Sequence, residues 1–465
     1  MTNEQVFQDP ALFINSTINS IYELIITIPG SHLAISYLKN AYQNDPFRVV
    51  LELFLVFFAM KYMFSRKYKP NDNNVVLTDK EIDELVEEWQ PEPLAPKLSS
   101  YDRFNLEKIP VLTGPQSAKA KIAGHAKPLM NLATSNFLNL TASEQIRFST
   151  ISSVIPAFAK RGDYLVVDEG VSFAVQKGVQ ISRSIVRFYK HNDMEDLEKV
   201  LNEIQAEHIK HKKRLTRRFI VTEGLFANFG DIAPLDKLVE LKKKFKYRLI
   251  LDESQSIGVI GNRGAGLTDL YNIDAKEVDM IVGSLANALC GSGGFCAGSV
   301  EVVDHQRLSG SAYCFSASMP AMLAVSASEA FRIISQQPSL LKELAERIST
   351  LRQVLLHKSL EPYIYLESSD PHSPSPFFHV RIKETFFHHE VSRETEERLL
   401  QDVVDECASQ GVLVTRAKYV YEQELNCPKP SIKIQATIGL SKKENDKAAH
   451  VVKAAIVKIF SKTKK

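Results

Sequence analysis

The stretch from Asp279 to Gly298 reads Asp-Met-Ile-Val-Gly-Ser-Leu-Ala-Asn-Ala-Leu-Cys-Gly-Ser-Gly-Gly-Phe-Cys-Ala-Gly. Met280 to Val282 is an apolar strand that runs into small residues. A glycine-rich turn follows at Gly291, Gly293 and Gly294, and then a second short strand. Glycines here permit positive φ and close approach of the backbone. Asn287 sits between the small residues and the Gly-Gly pair. Taken alone, the stretch reads as a glycine turn between two buried strands.

Upstream of it, strands and helices alternate. Tyr164 to Val167 is an apolar strand ending at Asp168, and Ile185 to Tyr189 is another. Phe219 to Thr222 is closed by Glu223-Gly224, and Arg248 to Leu251 is followed by Asp252-Glu253. Asn192 to Ile204 reads as a helix with a capping box of Asn192 and Glu195. Pro234 to Phe245 reads as a helix with proline in its first turn. His208 to Arg218 reads as a basic, solvated loop. The alternation predicts a mainly parallel sheet covered on both faces. Chemistry in such sheets lies at the carboxyl ends of strands, where Asp168, Glu223 and Asp252 stand. Downstream, long helices are predicted at Pro320 to Ile334 and Leu340 to His357. Beyond them a smaller α/β unit has strands near Phe377 to Arg381, Val412 to Thr415 and Ser431 to Gln435. Its helices lie near Ser392 to Ser409 and Lys442 to Phe460.

The N-terminal quarter is different. Tyr22 to Ile28 is hydrophobic and Pro29-Gly30 breaks it; Ser31 to Tyr42 reads as a short amphipathic helix. Val49 to Phe64 is strongly apolar and is flanked by Arg48 and by Arg66, Lys67 and Lys69. We expect a single transmembrane helix over 46–66, with Lys61 snorkelling and Glu52 at a partner or interface. Positive charge after it would place the rest of the chain in the cytosol. Leu77 to Glu88 is a polar helix, capped by Thr78 and Asp79. A proline-rich arm, Glu87 to Pro96, then carries the only tryptophan, Trp89, and Ser99 to Pro128 reads as a loop-rich lead-in. The expected parts are a terminal segment (1–45), a membrane helix (46–66), a linker and arm (67–128), a large domain (129–335) and a small α/β domain (336–465).

Bulk composition narrows the function. A formal charge of +2 over 465 residues gives no global basic field suited to nucleic acid. Five cysteines without a Cys-x-x-Cys pair fit a reducing compartment and offer neither a disulfide framework nor a zinc site. No metal ligand set is expected.

Five stretches, in this order along the chain, resemble the α-oxoamine synthases, which are fold-type I pyridoxal-phosphate transferases. They are Asn136-Phe137-Leu138, Glu223-Gly224 through Ala233-Pro234-Leu235, Leu251 to Val259, Asp279 to Gly298, and Tyr313 to Pro320. In that family a lysine occupies the place of Asn287 and forms the Schiff base with the cofactor aldehyde. An amide nitrogen is not nucleophilic, and Leu285 to Leu289 holds no lysine to stand in. The apolar N-terminal helix, the Glu-Glu-Trp-Gln-Pro-Glu-Pro-Leu arm and the lost lysine resemble the non-catalytic long-chain-base subunits of serine palmitoyltransferase.

The resemblance implies a heterodimer in the endoplasmic reticulum membrane. A lysine-bearing subunit 2 would hold pyridoxal 5'-phosphate and condense L-serine with palmitoyl-CoA to 3-ketosphinganine. A small activating subunit and ORM-type regulators are further implied partners. In this chain Asp252 and Gln255 would be vestiges of the cofactor site, Gln255 replacing a histidine. Phe173 likewise replaces a histidine, and Lys433 replaces an arginine, keeping charge but losing the bidentate fork. Ser316 and Ser318 would reach across the interface toward the partner's cofactor phosphate; the plain alternative is that Ser318 caps the helix after Pro320. One departure is expected to matter: after Leu140 the family has a helix, a glycine-rich loop, another helix and a strand that this chain lacks. Two other readings remain open: an autonomous pyridoxal-dependent acyltransferase using another lysine, and a membrane-anchored scaffold with no enzyme partner.

Overall fold

In a computed structural model, the described residues are 27, 31–64, 78–89, 97–114, 117–138, 145–211, 214–289, 291–316, 319–368, 370–387 and 391–463. The expectations for Tyr22 to Ile26, Ile28 to Gly30, Arg66 to Lys69, most of the proline arm and Ser318 therefore lie outside them. The chain divides into two units, Met1–Lys97 and Leu98–Lys465.

The first unit contains helices Ser31–Asn44, Pro46–Phe64 and Asp79–Glu88. The last begins with a capping box: Thr78 accepts from the Glu81 N–H, and the Glu81 carboxylate accepts from Thr78. Pro46–Phe64 leaves most of its apolar side chains exposed, Phe47 at 87% and Phe54 at 63%. The expected membrane span over 46–66 is not confirmed. Among the described residues no helix is long and apolar enough to cross a membrane. Arg48, Glu52 and Lys61 are the physical reason, because three charges interrupt a helix of 19 residues. Arg48 pairs with Glu52 at 2.9 Å, so that acid has its partner one turn away.

The second unit is built on three sheets. Its strands are β1 (Lys119–Ala120), β2 (Leu129–Asn131), β3 (Tyr164–Asp168), β4 (Ile185–Tyr189), β5 (Arg218–Glu223), β6 (Arg248–Asp252), β7 (Met280–Ser284) and β8 (Gly294–Gly298). They continue with β9 (Ile364–Leu366), β10 (Phe377–Ile382), β11 (Val412–Leu413), β12 (Thr415–Arg416) and β13 (Ile432–Gln435). The main sheet has the order β4-β3-β5-β6-β7-β8. Its first five strands are parallel, and β8 returns antiparallel to β7 at the edge. All five residues of β3 are buried, as a strand covered on both faces requires. A second, antiparallel sheet has the order β12-β13-β10-β9, and a third joins β1, β2 and β11. Helix packing is close at one glycine: a Cβ on Gly178, in helix Phe173–Ser182, would lie 3.0 Å from Ile155 Cδ1 of helix Gln145–Phe158. Core residues from Ala118 to Phe460 form one apolar cluster.

Four local expectations need correction. Helix Met194–Lys210 is capped by Asp193, whose carboxylate accepts from the Glu195 and Asp196 N–H groups at 3.0 Å. Asn192 instead adopts φ +53°, a conformation asparagine tolerates, and donates its amide to Asp231. The basic segment from His208 is partly helical, with His208 itself buried against Tyr164. Val412 to Thr415 is two strands in two sheets, because the chain passes from β2 to β13 at Val414. The lead-in after Ser99 contains helix Ser100–Glu107, opened by a Ser99–Asp102 capping box.

Candidate functional site

The carboxyl ends of β3, β5 and β6 bring three acids together, with Glu223 and Asp252 side by side in register. Asp168, Glu223 and Asp252 are at most 1% exposed. Backbone N–H groups hold each one. Asp168 accepts from Gly170 at 2.7 Å and Asn192 at 2.9 Å. Glu223 accepts from Ser172 at 2.9 Å and Ala227 at 3.1 Å, and Asp252 from Ser254 at 2.9 Å. These contacts fix the loops that follow the strands.

Asp168 also belongs to a cluster that the sequence reading missed. His191 Nδ1 lies 2.8 Å from Asp168 and its Nε2 lies 3.0 Å from Asp231. The ring stacks on Phe229 at 4.1 Å and meets the edge of Phe226 at 4.5 Å. Both nitrogens face carboxylates, so the imidazole is a cation. Burial opposes that charge, but hydrogen bonds to Asp168 and Asp231 outweigh it and push the pKa up to about 10. The available signal was position: His191 follows β4 just as Asp168 closes β3, and the two strands are parallel neighbours.

Glu253 is fully enclosed beside Asp252. It accepts from the Leu267 N–H at 2.9 Å and is hydrogen-bonded to Ser256. Burial pushes its carboxyl up to about 7. Gly266, at φ +86°, gives it room: a Cβ there would lie 2.7 Å from the carboxylate.

Asn287 stands in the loop after β7, which closes on itself through Leu285 N–H to Gly293 O at 3.0 Å and Gly291 N–H to Leu285 O at 2.8 Å. Its side chain is buried, and Nδ2 donates to the Ser254 carbonyl at 2.6 Å. Position 287 is thus tied to the turn that carries Asp252 and Gln255. Asn287 and Gln255 share a cavity of about 890 Å³ with Phe173, Asn228, His379 and Lys433. His379 was also missed. Its Nε2 donates to the Ala227 carbonyl at 2.9 Å, so Nδ1 accepts from the Ser431 hydroxyl. Burial, with Lys433 and Arg381 nearby, holds it well below the usual histidine range and neutral. Lys433 lies beside His379 in the β10–β13 register, its ammonium 4.8 Å from the Phe377 ring centroid. Across the cavity, Arg416 is buried and bonded to Glu397 at 2.5 Å, Gln401 at 2.8 Å and Asn105 at 2.6 Å. Lys418, exposed at the cavity rim, is pushed down to about 8 by partial desolvation and by Arg416. Ser316 is exposed and does not line this cavity. Among the described residues no group of side chains could hold a metal ion.

Comparison with known proteins places this architecture. The family model for class I and II aminotransferases matches residues 108–452. Serine palmitoyltransferase 1 of Dictyostelium discoideum is 35% identical over 453 positions, covering 87% of this chain and 92% of that protein. Serine palmitoyltransferase 1 of Saccharomyces cerevisiae is 31% identical and covers 94% of each. Long chain base biosynthesis protein 1c of rice is 38% identical, over 71% of this chain and 76% of that protein. Since 87% of 465 residues is about 405, some 48 of the 453 aligned positions have no counterpart here. Among solved structures, a serine palmitoyltransferase with a pyridoxal-phosphate internal aldimine has a TM-score of 0.64 at 16% identity, covering 82% of this chain and 98% of that one. Sphingomonas wittichii serine palmitoyltransferase has a TM-score of 0.63 at 19% identity, covering 78% and 98%. At these identities the structures establish the fold alone.

Proposed function

The chain belongs to the serine palmitoyltransferase subunit 1 family of class I and II aminotransferases, and on that premise we propose that it is the non-catalytic subunit of the complex. In this reading a lysine-bearing subunit 2 holds pyridoxal 5'-phosphate and joins L-serine to palmitoyl-CoA with loss of CO2. This chain supports and localises that subunit in sphingolipid synthesis. A small activating subunit and ORM-type regulators complete the assembly, which sits at the endoplasmic reticulum membrane with the Leu98–Lys465 unit in the cytosol. The exposed apolar face of Pro46–Phe64 supports the membrane location.

One observation carries the proposal. The side chain at the aldehyde-capturing position is an amide whose nitrogen donates to the Ser254 carbonyl at 2.6 Å. Pyridoxal would supply the electron sink for carbanion chemistry, but it is held through an amine, and Asn287 offers none. The residues here do not fit a covalently held pyridoxal group. A partner surface is supported by the region after β8, where Leu308 is 82% exposed, Phe315 90% and Met322 74%. Ser316 stands in the same stretch, and we assign it and Ser318 to contact with the partner's cofactor phosphate.

The test uses full-length chain extracted from membranes. Alone, it yields no 3-ketosphinganine from serine and palmitoyl-CoA; with a lysine-bearing homologue that co-purifies, it does. Asn287→Lys alone retains no borohydride-fixable pyridoxal, because, by the resemblance, the strand and turn that the chain lacks after Leu140 are those that build the cradle for the cofactor phosphate. Ketone made by the isolated chain, or a reduced pyridoxyl adduct on it, overturns the reading. Such an adduct on Lys418 or Lys433 would favour an autonomous enzyme.

A further inference from the structure

The basic segment around Arg214 has no role in the site above. It enters β5, and its neighbours are also basic. Tyr164 of β3 pairs with Ile185 of β4 and Arg218 of β5, and Phe219 pairs with Arg248 of β6, so the amino ends of four strands lie side by side. Arg183 leads into β4, Arg161 into β3, Arg214 and Arg217 into β5, and Arg248 opens β6. All five are exposed. Among the described residues none of the five appears in an ion pair.

The acids nearby are engaged. Asp163 accepts from the backbone N–H groups of Lys160 and Arg217. Glu207 pairs with Arg187, and toward β7 Asp279 and Glu277 pair with Lys242 and Lys243. Arg183 is itself the C-cap of helix Phe173–Ser182, and Arg161, Arg214 and Arg248 follow helix C-termini by a few residues, so the helix dipoles favour cations at this edge; that local attraction does not neutralise them, and their charge stays open to a ligand. The same edge carries apolar side chains turned to water. Leu215 is 91% exposed, Ile209 72% and Ile181 56%.

We infer that this amino edge of the main sheet is a docking surface for an anionic phospholipid membrane. Clustered arginines attract the negative surface of a lipid leaflet, and single exposed leucine and isoleucine side chains enter the headgroup layer. Nucleic acid fits less well, because no aromatic stacking platform accompanies the charge among the described residues and isolated aliphatic tips gain nothing from a phosphate backbone. The whole chain has a formal charge of only +2, so the positive field is local to this edge. The surface belongs to the Leu98–Lys465 unit, whereas the apolar helix Pro46–Phe64 belongs to Met1–Lys97.

The test is vesicle flotation of the full chain, with its N-terminal helix intact. The readout is the gain in binding when phosphatidylcholine vesicles are given about 30% phosphatidylserine. Wild-type chain binds the anionic vesicles on the order of tenfold more tightly, and the gain falls as salt rises from about 0.05 to 0.5 M. The charge-reversal variant Arg161→Glu/Arg214→Glu/Arg248→Glu loses the gain while keeping its binding to neutral vesicles. The milder Arg161→Gln/Arg214→Gln/Arg248→Gln loses most of it, which guards against a misfolded triple mutant. Leu215→Ser weakens binding with no change in salt dependence. The inference is overturned if wild type makes no distinction between the vesicles, if the glutamine variant keeps the full gain, or if an oligonucleotide binds this edge more tightly than the anionic vesicles do. Because the neutral-vesicle arm reads the helix, failure here is distinct from failure of the membrane location itself.

Discussion

The two ends of the main sheet handle charge in opposite ways. At the carboxyl ends the charges are acids turned inward, and Asp168, Glu223, Asp252 and Glu253 are almost wholly buried. At the amino ends the charges are bases turned outward, with Arg161, Arg183 and Arg248 in water. Buried charge persists only where fixed donors replace water, and here backbone N–H groups and one histidine do so. Those acids therefore hold loops in place whether or not a cofactor arrives. The carboxylates thus have structural work that does not depend on what stands at position 287.

The comparison is broken most severely at His191. His191→Ala leaves Asp168 and Asp231 without the cation between them, and we expect a loss of about 3 kcal/mol, as for a buried pair deprived of one partner. The pH dependence follows from the raised pKa. The histidine's ordinary value is 6.5 and its folded value is about 10. Its contribution is then fully present below pH 6.5 and disappears as pH rises through about 10. Urea midpoints at several pH values across that window check both points: wild type weakens toward alkaline pH, and His191→Ala gives a flatter curve. An unchanged midpoint in the variant would mean that the cluster carries no stability.

Glu253 tests the same end with the opposite sign. Its folded pKa of about 7 lies above the ordinary 4.5. Folding therefore favours the protonated form, and stability falls as pH rises from 4.5 to 7, with the cost complete above that. Glu253→Gln can still accept from the Leu267 N–H and donate to Ser256. We expect it to flatten that window and to be more stable than wild type above pH 7, by on the order of 2 kcal/mol. Equal pH profiles for the two proteins would show that the carboxyl ionises without cost.

Much of this architecture was legible in the sequence. Tyr164 to Val167 and Phe219 to Thr222 are largely apolar runs each followed by an acid, so both strand and loop were readable without tertiary information. The position of Asn287 was readable too, because glycines and small residues flank it. What escaped notice depended on pairings distant along the chain. His191 meets Asp231 only because neighbouring strands end together, and His379 reaches Ala227 across 152 residues. The split of Val412 to Arg416 between two sheets follows from which strands receive it, which no local pattern encodes. The error at Asn192 was one of competition: Asn192 and Asp193 are both good caps, and the long-range bond to Asp231 decides between them.

The gentlest change bears on the amino ends. Arg161→Gln with Arg248→Gln removes two exposed charges that have no ion-pair partner among the described residues. Each guanidinium is solvated in the native and unfolded states alike, so the transfer on folding is small. We expect stability to change by less than about 0.5 kcal/mol, measured by urea denaturation at neutral pH. Relieving repulsion along the edge makes a slight gain the expected sign, and low salt should enlarge it because screening is then weakest. A loss above about 1 kcal/mol would mean that these bases also hold the fold. The contrast between inward acids and outward bases would then fail, and the arginines could not be treated as free for a partner.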